Sequence, residues 1–93
     1  MKKALKSKLI TRLKIIEGQV RGLQGMVNKN KYCVNIITQA NAVKKALSSF
    51  ENDMLKNHLS THVVEQMKSG QRSKAVAEVL KVYKLSKKIN LIL

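Results

Sequence analysis

The chain has 93 residues, of which 44% are apolar. It is long enough for one small core and too apolar for a disordered segment. The absence of proline, the four glycines and an aromatic content of 3% favour helices over strands and turns. A formal net charge of +14, from 19 Lys and Arg against five acids, calls for a polyanionic partner, nucleic acid or an anionic membrane surface.

The basic start "MKKALKSKLITRLK" has no apolar stretch behind it and does not read as a signal peptide. No apolar run approaches the ~20 residues that a membrane span needs. One cysteine excludes an internal disulfide framework. The expectation is a cytoplasmic protein that does not engage a membrane.

In chain order, Leu9, Leu13, Ile16, Val20, Leu23 and Val27 alternate spacings of four and three, the apolar seam of a first helix over about 6–28. "NKNK" then breaks the pattern, with Asn30 as a candidate N-cap for the second helix. From Lys31 to Ser69 there is neither glycine nor proline, and Ile36, Ala40, Val43, Leu47, Phe50, Met54 and Val63 keep a helical period. This predicts one long central helix over about 31–69. It is longer than a compact monomer of this size can bury, so pairing with a second copy is expected. Gly70 closes that helix as its C′ residue. Val76, Val79, Leu80 and Tyr83 mark a third helix over about 72–88, and an apolar tail occupies 89–93. Residues 1–93 read as a single all-α domain of three helices with no helix-turn-helix signature.

The chemistry-bearing residues are few. His58 and His62 are the only histidines, four apart in "NHLSTH", and the one thiol, Cys33, lies 25 positions before His58. At 1.5 Å per residue a helix holds Cys33 and His58 about 37 Å apart, so within one chain they share no ion. At 100° per residue, however, His58 falls about 20° short of seven turns from Cys33 and His62 about 20° past eight. All three therefore lie on one stripe. An antiparallel copy would set Cys33 of one chain against His58 and His62 of the other, and two-fold symmetry would repeat the site. On helical spacing alone an ordinary packed Cys with an interface His pair is favoured about two to one over a metal set, and the shared stripe brings the two about even.

"RLKIIEGQVRGLQGMV", "KYCVNIITQANAVKKAL" and "NHLSTHVVEQMKSG" together resemble the CsoR/RcnR family of small metal- and formaldehyde-responsive repressors. The resemblance runs over about residues 8–84. It implies an antiparallel homodimer that assembles into a dimer-of-dimers tetramer. It also implies one transition-metal ion per protomer at Cys33 of one chain with His58 and His62 of the other, and Tyr32 and Glu78 as hydrogen-bonding partners around the helix-two histidine. Such a repressor binds double-stranded operator DNA without its effector and lets go with it, releasing an efflux or detoxification gene. His62 in place of the last cysteine of the Cys-His-Cys sensors weakens the bias toward Cu(I), which ranks slightly ahead of Ni(II), Co(II) or Zn(II). The amino-terminal histidine of the nickel/cobalt members is missing, and Lys2 stands where formaldehyde-responsive members carry proline, so that effector ranks after the metals.

Contact with DNA would be electrostatic and shape-based. Lys14 and Lys45 belong to the basic set of the first two helices, and by resemblance Arg12, Arg21 and Lys44 align with operator-contacting positions. An effector-free nucleoid-type DNA-binding protein is the competing class. An enzyme is not expected, because nothing orients a base on Cys33 and no Gly-rich turn offers an oxyanion hole.

Overall fold

The computed structural model describes the backbone of residues 1–92 and the side chains of residues 1–85. Within them the chain is all-α, three helical rods with no strand. The first is α1 (Lys3–Asn28). The central rod is α2 (Cys33–His58), a π-helical turn (Leu59–Val63) and α3 (Val64–Lys68) in unbroken succession. The last is α4 (Arg72–Ile92). The backbone forms two compact units, residues 1–55 and 56–93.

In the first unit, α1 and the first part of α2 form an antiparallel hairpin around residues 29–32. The turn is a Schellman motif. Asn30 adopts φ 55°, its N–H donates to the Val27 carbonyl at 3.1 Å, and the Lys31 N–H donates to the Met26 carbonyl at 3.0 Å. Asn30 therefore ends α1 rather than capping α2, against the expectation from "NKNK". Asparagine tolerates both positions, and the left-handed requirement of the turn decides between them. The α2 start is set one residue pair later, where Asn35 and Ile36 donate to the Tyr32 carbonyl at 3.0 and 3.2 Å.

Leu9, Ile16 and Val43 are buried, but the rest of the apolar seam is less covered than its periodicity implies. Leu13, Val20 and Val27 on α1 and Leu47 on α2 are exposed, and Ile37 is 66% exposed. A polar clamp joins the helices as well. The Arg12 guanidinium pairs with Asp53 and donates to Ser49 Oγ at 3.3 Å. Arg12 and Asp53 side chains are 28% and 23% exposed, so the pair is partly shielded from solvent.

In the second unit, α3 and α4 are joined by a second Schellman turn. Gly70 takes φ 79°, its N–H donates to Met67 and that of Gln71 donates to the Gln66 carbonyl at 2.7 Å. Ala75, near the start of α4, is buried. The π-helical turn is the departure from the sequence reading, which carried a uniform helix through 69. The torsions on both sides stay helical, φ −60° and ψ −46° at His58 and φ −60° and ψ −45° at Val64. The rod thus widens for one turn without breaking. The part of the tail at 89–92 continues α4 in its backbone; the packing expected of its side chains lies outside the described residues.

At the two left-handed turn positions glycine and alanine have opposite effects. Asn30→Gly should leave stability unchanged or slightly raised, whereas Asn30→Ala and Gly70→Ala should each cost about 1 kcal/mol. Urea unfolding at fixed protein concentration checks this, since stability of an assembling chain depends on concentration.

Candidate metal centre

His58 closes α2 and His62 lies in the π-helical turn, both in the second unit. Their ring centroids are 5.3 Å apart and tilted by 45°. Two imidazoles on one ion, each with its nitrogen about 2 Å from the metal at a tetrahedral or trigonal angle, hold their centroids about 5 Å apart. The rings are thus already spaced as co-ligands. His58 Nε2 stands 3.4 Å from Glu78 Oε2 on α4, with the two side chains 27% and 38% exposed. A carboxylate beside Nε2 leaves Nδ1 as the ring nitrogen facing away from it.

Cys33, the first residue of α2, and Tyr32 before it belong to the first unit. Cys33 is an exposed free thiol, and Tyr32 is 71% exposed. Among the described residues no three His, Cys, Asp or Glu side chains of one chain converge as a metal set. Within the second unit His58 therefore stands beside both His62 and Glu78. The donor types fit a soft or borderline ion: one thiolate and two imidazoles suit Cu(I) or Zn(II), and nothing in the trio favours a hard cation.

The basic residues expected at DNA all belong to the first unit. Lys14, Lys44 and Lys45 are exposed. Arg21 is exposed too, with Glu17 one turn away at 3.5 Å, and lies on the same stripe of α1 as Lys14, seven residues earlier. Arg12 differs, since Asp53 and Ser49 hold it between the helices. No motif in the sequence marks Asp53 or Ser49. The signal for Ser60 and Thr61, the hydroxyl residues between the histidines, is their place in "HLSTH".

A profile of the family described as "Metal-sensitive transcriptional repressor" matches residues 5–84. The copper-sensing transcriptional repressor CsoR of Bacillus subtilis is 42% identical over 79 residues, covering 85% of this chain and 78% of that protein. The transcriptional repressor RcnR of Salmonella typhimurium is 31% identical over 77 residues, covering 83% of this chain and 86% of that one. The crystal structure of the copper-sensing repressor CsoR with Cu(I) from Geobacillus thermodenitrificans NG80-2 superposes with a TM-score of 0.88 at 33% identity, covering 94% of this chain and 91% of that one. The fold, the histidine pair and these matches lead to one conclusion: the chain belongs to the family of metal-sensitive transcriptional repressors.

Proposed function

We propose that this repressor senses copper, binding operator DNA when metal-free and releasing it when Cu(I) is held by Cys33 of one protomer and His58 and His62 of its partner. The observation that carries the reading is the 5.3 Å spacing of the two imidazoles beside Glu78, in a chain whose only thiol opens the same α2 helix that His58 closes. Helix rise puts those ends about 37 Å apart, so the thiol has to come from a second copy. Exposed apolar residues along α1 and α2, Ile37 foremost, provide the surface on which a second copy would pack. An antiparallel homodimer, doubled into a tetramer, is the assembly that fits. The relatives of 42% and 33% identity named for copper support the choice of metal. No described helix is long and apolar enough to cross a membrane, and a cytoplasmic place beside DNA suits the charge.

When bound, Cu(I) supplies coordinate bonds to soft donors that tie two protomers together. The protein's own groups do the rest. Cys33 provides the thiolate, His58 and His62 the neutral imidazoles, and Glu78 holds the His58 ring in one tautomer. Tyr32, adjacent to Cys33, would enter from the partner's side as a second hydrogen-bonding group. Through Glu78, a change in the His58 ring angle is passed to α4. Fixing the helices of two protomers against each other disfavours the arrangement in which their basic faces match the duplex. Coupling of about 1–3 kcal/mol would weaken operator binding ~5–150-fold.

On the DNA side, Lys14, Lys44 and Lys45 are exposed to meet phosphates, Arg21 would share its charge with Glu17, and Arg12 would first have to leave Asp53. We assign Arg12 to the operator surface on the condition of that exchange.

Cys33→Ala should bind operator as tightly as the parent and stay bound under anaerobic Cu(I), measured by fluorescence anisotropy. Release of this variant by Cu(I) would refute the site. Lys44→Ala should flatten the slope of log K against log salt by about 0.9 for each copy that contacts a phosphate. An unchanged slope places Lys44 away from the DNA.

A further inference from the structure

We propose that Ser60 and Thr61 are positioning residues that hold the π-helical turn open between the two histidines and so set where His62 points. The inference rests on the proposed metal site and concerns groups that touch no metal themselves.

Two independent observations meet in "HLSTH". The backbone pairs five residues apart over Leu59–Val63, a rare geometry that inserts an extra residue into one turn of an otherwise regular rod. Immediately upstream, Ser60 Oγ donates to the Lys56 carbonyl at 2.9 Å and to the Asn57 carbonyl at 3.2 Å, and Thr61 Oγ1 donates to the Asn57 carbonyl at 2.6 Å. In a regular α-helix those two carbonyls accept the N–H groups of Ser60 and Thr61. Here the hydroxyls of the same residues compete for them, and such back-bonding loosens and bends a helix. The wide turn starts where two consecutive hydroxyls weaken the narrow one.

The consequence falls on His62. In a straight α-helix a residue four positions on lies about 40° past the first. A wider turn advances each residue by less than 100°, so His62 comes round to a different azimuth, with its ring 5.3 Å from that of His58. The stripe expected from uniform helix steps thus holds for His58 and changes at His62. The backbone is helical on both sides of the turn, so conversion to a regular α-helix requires no refolding, only a shift of pairing by one residue.

The test compares metal-free and Cu(I)-loaded protein for the parent, the double variant Ser60→Ala/Thr61→Ala, the hydroxyl-exchanged variant Ser60→Thr/Thr61→Ser, and Cys33→Ala. Alanine favours the helix, so the double variant should fold. In the metal-free crystal structure its residues 58–64 should become regular α-helix, and its amide exchange there should slow. Cu(I) affinity by anaerobic chelator competition should fall ~10–100-fold, the usual effect of removing groups that orient ligands. The hydroxyl-exchanged variant should keep the π-helical turn and the parental affinity. The inference is overturned if the alanine variant retains the turn, if its affinity stays within twofold of the parent, or if the hydroxyl-exchanged variant is as weak as the alanine one. Parental Cu(I) affinity in Cys33→Ala would instead overturn the metal site itself.

Discussion

The rise of a helix is the constraint on which the metal chemistry depends. α2 begins at the only thiol and ends at the first of two histidines, and a helix separates such ends by about 37 Å whatever its side chains do. The proposed soft-metal site therefore takes its thiol from a second chain, and the histidine pair with Glu78 beside it supports that reading. In such a site the donors would lie on elements of two protomers, so filling it would act on the assembly directly.

The same economy governs stability. Leu9, Ile16, Val43 and Ala75 are the buried apolar residues among those described, a thin core for a chain with this apolar content. Local devices compensate within each unit: two Schellman turns, and the Arg12–Asp53–Ser49 clamp between α1 and α2. In the proposed operator contact, phosphate binding and hairpin packing would draw on the same Arg12 guanidinium.

Much of this was legible in the residues. The stretch from 31 to 69 without glycine or proline marked the central rod, and the lone Gly70 after it marked its end, because a left-handed C′ position favours glycine. Helical rise and rotation put Cys33, His58 and His62 on one stripe, which carries the proposal of an intersubunit site without deciding it against ordinary packing. Other features were hidden for physical reasons. Asparagine serves both N-caps and left-handed turns, so "NKNK" alone could not assign Asn30. A π-helical turn leaves apolar periodicity nearly intact, and its cause lies in hydroxyl–carbonyl competition that hydrophobic pattern does not register. Arg12 looked like any other surface charge, since its partner Asp53 is 41 residues away.

The claim that one site is built from two chains is tested most directly by complementation. Cys33→Ala and His58→Ala/His62→Ala each remove the site from a homodimer. In a mixed dimer purified through two different tags, both lesions fall on one site and leave the other intact. Anaerobic Cu(I) titration should then recover one tight ion per mixed dimer, half the parental amount, while each variant alone recovers none. A mixed dimer that binds no more Cu(I) than the separate variants would contradict the account.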